Sequence, residues 1–232
     1  MLSLKYDAGD NKAIALAVGA YQKEAFGEAF GMFTELAEQG DADAKAWLAA
    51  MYVNGEGVPT SLSKAVELYR ESAEAGNVLA QTNLGAMLAM GQGVARDVAD
   101  GVVWLTKAAE QGDLFAQYNL ATLYSKGEGI PADPELAAKW YRRASEAGHY
   151  PSQARLGFFY ANGIGVEKDR VQAFVWLSLA AQHGVGNALN ALEAVVGQMS
   201  ADEKRKGSAL VEAWRSRTPE TSRHARLRPQ PG

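Results

Sequence analysis

The chain of 232 residues contains no cysteine, three histidines and no long apolar run. The lack of cysteine excludes disulfides, thiolate metal sites and cysteine nucleophiles. No segment approaches the roughly 20 apolar residues that a membrane-spanning helix needs. The formal net charge is −4, and the folded body has no clustered basic face of the kind that neutralises phosphates. We therefore expect neither a transmembrane segment nor a nucleic-acid partner.

The nearest candidate for an export signal is the apolar segment 13–20, AIALAVGA. It is short, and Asp7 and Asp10 precede it where a signal peptide carries basic residues. We predict that this segment is the first helix of the fold and that the protein is cytoplasmic. A periplasmic location is the alternative if an export signal preceded this sequence.

A strict repeat of 36 residues dominates what is present, with no insertion over four periods. One ladder of single glycines with this spacing is Gly40, Gly76, Gly112, Gly148 and Gly184. A second ladder consists of Gly-x-Gly pairs: Gly55 and Gly57, Gly91 and Gly93, Gly127 and Gly129, Gly163 and Gly165. A third ladder, which we expect in the core, is Leu68, Trp104, Trp140 and Trp176.

Each period has the pattern of two helices. In the first unit Ala44, Leu48, Met51 and Tyr52 follow the spacing of one helix face. The glycine pair then permits positive φ at the helix exit. Good N-cap residues open the second helix of each unit: Ser61, Asp97, Asp133 and Asp169. The sequence thus predicts helix, glycine-rich loop, helix and tight turn, and one such pair buries its apolar face only by stacking on others.

We predict one domain over residues 1–216, followed by a disordered basic tail at 217–232. Within the domain, 8–40 is a shorter N-terminal unit resembling a tetratricopeptide repeat, and 41–76, 77–112, 113–148 and 149–184 are the regular repeats. Residues 185–216 form a half-repeat and a capping helix, which Ser200 and Glu203 open as a capping box. Pro151 and Ser152 break the pattern of the fourth unit, whose first helix we expect to begin differently.

The segment 116–148, AQYNLATLYSKGEGI followed by AAKWYRRASEAG, resembles the Sel1-like repeat, a relative of the tetratricopeptide repeat. The segments AQTNLGAMLAMGQGV and ARLGFFYANGIGV resemble it too. The resemblance covers about two-thirds of the chain. It implies an all-α, right-handed superhelical solenoid of antiparallel helix pairs. It also implies an adaptor or scaffold, commonly in bacterial signalling, envelope or host-contact systems.

The resemblance further implies that the first helix of each pair lines a concave groove. The candidate groove positions outside the core ladder are Thr82, Asn83, Phe115, Tyr118, Asn119, Thr122, Arg155 and Phe158. Trp47 lies in register with Asn83, Asn119 and Arg155, and we expect it to be exposed. In related repeats the amide binds a peptide backbone and the cation binds a carboxylate. Alternatively, the asparagines bond neighbouring turns and serve the fold.

No chemistry of catalysis is visible. The Gly-x-Gly loops lack the preceding strand and the Gly-Lys-Ser/Thr of a phosphate-binding loop. His149 and His183 fall in equivalent turns, where we expect them exposed, and no acid–base pair is apparent. We predict no enzyme, no metal and no cofactor. The expected function is a scaffold that binds a protein or peptide, as a monomer or weak homodimer. The alternative is an assembly subunit that acts through the solenoid ends or convex face.

Overall fold

The computed structural model describes residues 12–217, which are helical and contain no strand within that range. The chain divides into two compact units between Asp113 and Leu114. Residues 218–232, with most of the predicted basic tail and His224, lie outside the described residues, as do residues 1–11. The organisation of residues 1–216 as one domain stays a prediction.

Within residues 12–113, unit 1 contains six helices, and consecutive helices pack against each other. They are α1 (Lys12–Gln22), α2 (Phe26–Glu38), α3 (Ala42–Asn54), α4 (Leu62–Glu74), α5 (Val78–Met90) and α6 (Val98–Glu110). Helix α1 covers the apolar segment 13–20, which the sequence predicts to be the first helix, and it buries Ile14 and Ala17.

Unit 2 also contains six helices within the described residues. They are α7 (Leu114–Lys126), α8 (Pro134–Glu146), α9 (Tyr150–Asn162), α10 (Arg170–Ala181), α11 (Ala188–Val196) and α12 (Ala201–Arg217). The odd-numbered helices α3, α5, α7 and α9 are the first helices of the repeats, and each begins 36 residues after the one before.

Side-chain caps begin the helices where the sequence predicts them. Asp41 Oδ1 and Asn77 Oδ1 accept hydrogen bonds from the N–H groups of Ala44 and Ala80, each at 2.8 Å. The four caps predicted for the second helices also accept backbone N–H groups, so they are confirmed: Ser61, Asp97, Asp133 and Asp169. Such a cap typically stabilises a helix by about 1 kcal/mol.

The single glycines close the turns between repeats. Gly76 has φ 95°, and the chain reverses there so that Asn77 N–H donates to the Ser72 carbonyl at 3.1 Å. This geometry lies in the left-handed region, which side chains with a Cβ rarely adopt. The other predicted glycine positions also have positive φ, and the whole set spans 60° to 95°.

The second glycine of each pair permits a close approach between neighbouring repeats. A Cβ built on Gly93 would lie 2.5 Å from the Leu62 carbonyl oxygen, at the start of α4. A Cβ on Gly57 would lie 2.5 Å from the Phe26 carbonyl oxygen, at the start of α2. The loop after each of these first helices therefore rests on the backbone of the preceding second helix, which leaves room for glycine alone.

Trp47 is buried, and the prediction of an exposed Trp47 is wrong. Its side chain is 4% exposed and stacks on Phe33 of α2 at 5.4 Å and 7°. Tyr21 of α1 contacts the same ring at 4.8 Å. The reason is that α3 packs on the shorter N-terminal pair, whose aromatic residues form one core with Trp47.

The tryptophan ladder is buried as well, with Trp104, Trp140 and Trp176 at most 9% exposed. Lys107 covers the Trp104 ring at 3.9 Å, and the Arg143 guanidinium lies 5.5 Å from the Trp140 ring. Trp176 instead meets Trp214 of α12 edge to face at 6.0 Å. Helix α12 thus packs on α10 through a tryptophan pair.

The fourth repeat keeps its register despite Pro151, so the expectation of a different start for α9 is wrong. Helix α9 begins at Tyr150, and Pro151 stands in its first turn. The prolines of first turns cost no backbone hydrogen bond, because those N–H groups have no partner within the helix.

The capping box before α12 is confirmed. Ser200 N–H donates to Glu203 Oε2 at 2.7 Å, and Glu203 N–H donates to Ser200 Oγ at 3.2 Å. These bonds, with the Arg170 side chain at 3.3 Å, lower the pKa of the Glu203 carboxyl. The helix that they open extends to Arg217, one residue into the segment predicted as tail.

Candidate functional site

The first helices of unit 2 carry two large apolar side chains in solvent. Phe115 on α7 is 51% exposed, and Phe158 on α9 is 46% exposed. Tyr118 and Asn119 on α7 are half-buried, and Arg155 on α9 is exposed. We call these five residues the aromatic surface. Exposed aromatic and arginine side chains of this kind are the residue types that dominate binding at protein interfaces.

The charged side chains on helices α7 and α9 all have one sign. Neither α7 nor α9 contains an aspartate or a glutamate, whereas Arg155 lies on α9 and Lys126 ends α7. Within residues 12–217, Arg155 forms no ion pair. In a chain of net charge −4, these two helices therefore present cations without compensating acids.

Tyr141 of α8 lies beneath the same helices. Its hydroxyl is 3.0 Å from Thr122 Oγ1, and its ring contacts Tyr118 at 5.8 Å and Phe159 at 5.3 Å. Burial raises the pKa of the Tyr141 hydroxyl, while the Thr122 hydrogen bond and the Arg155 charge oppose that rise. Thr122 also bonds the Tyr118 carbonyl at 2.9 Å, so its hydroxyl is already engaged in the fold.

His149 is buried beneath the aromatic surface, and the prediction of an exposed turn histidine is wrong for it. Its side chain is 5% exposed. Its ring meets Phe115 at 5.5 Å and Tyr118 at 5.3 Å, both edge to face. Nδ1 lies 2.8 Å from Ser152 Oγ. Burial lowers the pKa of the imidazole to about 4, so the ring is neutral at pH 7.

His183 does lie in an exposed turn, as expected, but its ring stacks on Tyr150 at 3.5 Å and 13°. Partial burial lowers the pKa of this imidazole as well. The two turn histidines therefore have different environments although they are close to one repeat apart in sequence.

The groove positions predicted in unit 1 are buried or have their polar groups shielded from solvent. Thr82 is 5% exposed, and its hydroxyl lies within donating distance of the Val78 carbonyl at 3.1 Å and the Asp113 carboxylate at 3.0 Å. Asn83 is half-buried, and its Nδ2 is shielded from solvent with no hydrogen-bond partner among the described residues. With Trp47 in the core, unit 1 offers no counterpart of the aromatic surface at these positions.

The first helices also carry a ladder of buried amides, which the sequence analysis does not predict. Gln81, Gln117 and Gln153 are spaced by 36 residues and are at most 5% exposed. The Nε2 atoms of Gln81 and Gln153 donate to the carbonyls of Ala73 and Ser145, each at 3.2 Å. These bonds join a first helix to the preceding second helix. The 36-residue spacing was the signal that could have revealed them.

An apolar cavity of about 150 Å³ lies between α10 and α12 in unit 2. Its lining residues are Gln172, Val175, Trp176, Leu210, Ala213 and Trp214. None of these residues has an acidic or basic side chain, so the cavity offers no set of groups for acid–base chemistry.

Residues 12–217 contain no cluster of three or more histidine, aspartate or glutamate side chains arranged to hold a metal ion. Over the same range, no helix has both the length and the apolar character needed to cross a membrane.

Comparisons with known proteins agree on one family. The Sel1 repeat model matches residues 42–77, 78–113, 114–149 and 151–185, together more than half of the chain. A comparison with curated protein sequences found no match.

Solved structures show the same fold. The structure of a protective antigen of uropathogenic Escherichia coli, which displays an SLR fold, is 31% identical with a TM-score of 0.82 over 95% of this chain. A Sel1 repeat protein from Oxalobacter formigenes is 36% identical with a TM-score of 0.66 over 73% of this chain. This chain spans 49% of each of those two proteins.

A Sel1 repeat protein from Klebsiella pneumoniae, 24% identical over 79% of this chain and 91% of its own, shares the fold with a TM-score of 0.53. The fold is therefore the all-α solenoid of helix-turn-helix repeats that the sequence predicts. The chain belongs to the Sel1 repeat family.

Proposed function

We propose that this chain is a non-catalytic scaffold that binds an extended protein segment on the aromatic surface of unit 2. Sel1 repeat proteins are generally protein-interaction scaffolds and are typically non-catalytic. The observation that carries the proposal is the exposure of Phe115 and Phe158 on two acid-free helices that also carry Arg155.

The chemistry of the surface selects the partner. Two exposed phenylalanine rings bury bulky apolar side chains of a ligand, because removing apolar area from water stabilises a complex by roughly 25 cal/mol per Å². Arg155 lacks an anion within the described residues, so a carboxylate of the ligand provides the missing charge. The proposed occupant is therefore a segment that alternates bulky apolar residues with aspartate or glutamate.

The surface is narrower than the groove predicted from the sequence. Phe115, Tyr118, Asn119, Arg155 and Phe158 remain available to a ligand. Thr82 and Thr122 have hydroxyls engaged within the fold, and Asn83 has a shielded amide nitrogen. We propose that these last three residues serve the fold rather than the ligand.

Peptide display on the full chain tests the proposal. The immobilised protein selects from a random peptide library at pH 7.5, and the Kd of the most enriched peptide is measured by fluorescence anisotropy. We expect enriched peptides to carry acidic and bulky apolar residues. F115A/F158A should weaken binding at least about tenfold, because truncation of an interface aromatic anchor typically costs 2 kcal/mol or more.

Two further variants sharpen the result. L189A removes an equally exposed side chain from α11 of unit 2, 55% exposed, and should change the Kd less than about twofold. Arg155→Gln should weaken binding and reduce its dependence on salt, because screening acts on the ion pair that this change removes. Enrichment of no peptide, or equal binding by F115A/F158A, would refute the proposal.

The alternative of an assembly subunit makes a different prediction. We expect a monomer or weak homodimer in sedimentation velocity, with the same state for F115A/F158A. A stable oligomer that dissociates in F115A/F158A would assign the exposed rings to self-assembly instead.

A further inference from the structure

The turn before α9 differs from the equivalent turns of unit 1. Asp41 and Asn77 occupy this position before α3 and α5, and each caps its helix by accepting the N–H of an alanine three residues later. His149 makes no such cap bond. Its partner is the hydroxyl of Ser152, which replaces that alanine. Both members of the pair therefore change together in this repeat.

The exchange adds a ring where an aspartate or asparagine has none. The imidazole of His149 fills the space between the turn and α7, and its contacts there are the rings of Phe115 and Tyr118. Phe115 is half exposed, whereas His149 is almost fully buried. An exposed phenylalanine with no support beneath it turns among several rotamers, and binding must then order it.

Ser152 fixes the imidazole in this place. The side chain of Ser152 is fully buried, so the 2.8 Å bond to Nδ1 is shielded from water. At neutral pH the histidine is uncharged because burial lowers its pKa to about 4. The ring is thus a flat, uncharged support held by its contact with Ser152, and the α9 N-terminus lacks the side-chain cap that begins α3 and α5.

We infer that His149, held by Ser152, is the positioning residue of the aromatic surface: its ring orients Phe115 and Tyr118 for the bound segment and makes unit 2 the binding unit. This inference rests on the proposed function. The inference extends the proposed function, because it assigns the specificity of one repeat to a residue that does not itself contact the ligand.

Two double variants test the role of the ring. His149→Asn with Ser152→Ala installs the pair that caps α5 in this same chain, which removes the ring but restores a cap. His149→Phe with Ser152→Ala retains an aromatic ring and removes the polar contact. We expect the first variant to bind the display-selected peptide about tenfold more weakly at pH 7.5, and the second to bind within about threefold of the wild type. Circular dichroism confirms that each variant is folded at the temperature used.

A second measurement needs no ligand. The full chain carries 4-fluorophenylalanine at position 115, and the ¹⁹F shift difference between H₂O and D₂O reports the solvent exposure of that ring. We expect H149N/S152A to change this difference, because the ring moves into the space vacated by the imidazole. H149F/S152A should return it towards the wild-type value, which a role in general stability would not do.

The outcomes separate the two proposals. If the wild type binds no peptide, the proposed function fails, and the fluorine measurement still decides the positioning role. If the wild type binds and H149N/S152A binds equally well with an unchanged isotope difference, the inference is overturned while the function stands. The inference is also overturned if H149F/S152A restores neither peptide binding nor the fluorine isotope difference. If H149N/S152A does not fold, weak peptide binding by H149F/S152A overturns the inference.

Discussion

Gly85 on α5 and Gly101 on α6 lie face to face where the two helices cross. A Cβ built on Gly101 would lie 2.7 Å from the Gly85 carbonyl oxygen, and one built on Gly85 would lie 2.9 Å from the Gly101 carbonyl oxygen. In α8 and α10 the residues in register with Gly101 are Ala137 and Ala173, so the sequence marks Gly101 as a departure from the repeat. The close crossing gives the departure a physical reason.

Gly101→Ala should lower the free energy of unfolding by up to about 2 kcal/mol. Alanine favours the helix by roughly 1 kcal/mol, but the added methyl overlaps the α5 backbone, and overpacking of a core typically costs 1–3 kcal/mol. Urea denaturation followed by circular dichroism measures the difference.

Gly31→Ala is the matched control for that change. Gly31 lies inside α2, is exposed, and has no atom within 4 Å of its would-be Cβ. At this position only the higher helix propensity of alanine acts, so we expect the free energy of unfolding to rise by about 0.5–1 kcal/mol. If both substitutions stabilise the protein, the close contact between α5 and α6 does not exclude a side chain at position 101.

Two glycines with positive φ should differ in their tolerance of alanine. Gly76→Ala strains the backbone but meets no neighbour, whereas Gly93→Ala adds a clash with the Leu62 backbone. We expect Gly76→Ala to cost about 1–2 kcal/mol and Gly93→Ala to cost at least about 1 kcal/mol more. Urea denaturation of the two variants tests this order, and equal losses would contradict the close packing of the second loop glycine.

The helices and caps were predictable because local sequence determines them. A capping aspartate such as Asp133 accepts a hydrogen bond from an N–H group three residues away. Gly76 is required by the positive φ of its own backbone. The period of 36 then transfers each local result to the next repeat. The repeat pattern does not predict how a repeat packs against a neighbouring segment that has a different sequence.

The burial of Trp47 shows that limit. Its register predicts a place in the row of Asn83, Asn119 and Arg155, and that row is accessible in unit 2. However, α3 packs on an N-terminal pair outside the residues that the Sel1 repeat model matches, and Phe33 of that pair stacks on the indole. A periodic pattern carries no information about such a non-repeating partner.

His149 escaped prediction for a related reason. A turn between helices usually lies at the surface, and the sequence shows no ligand pattern around this residue. Its burial results from the rings of α7, which lie more than 30 residues earlier in the chain. The one sequence signal is the joint replacement of a capping residue by His149 and of alanine by Ser152.

Alanine substitutions of Trp47 and Phe115 should have very different effects on the free energy of unfolding, because Trp47 belongs to the core and Phe115 to the aromatic surface. Trp47→Ala removes a buried, stacked indole and should cost about 3–5 kcal/mol of unfolding free energy. Phe115→Ala removes a half-exposed ring and should change that free energy by less than about 1 kcal/mol. The same urea denaturation measures both, and a large loss in Phe115→Ala would identify this ring as part of the core rather than of the binding surface.

The buried imidazole of His149 should make stability depend on pH. Its pKa is lowered to about 4 in the folded chain, against an ordinary value of roughly 6.5 when unfolded. As pH falls below the unfolded value, the unfolded chain takes up a proton that the folded chain does not, so the folded state loses stability. The loss continues down to the folded pKa and then stops.

Between pH 7.5 and pH 5 this single group should cost about 2 kcal/mol. Carboxylates and His183 titrate as well, so the comparison is with H149F/S152A, in which those groups are the same. We expect the unfolding free energy of the wild type to fall by about 2 kcal/mol more than that of the variant over this range, measured by urea denaturation at both pH values. Equal losses would mean that His149 is accessible to protons in the folded chain, and the ring would then lack the buried environment on which its support of Phe115 and Tyr118 depends.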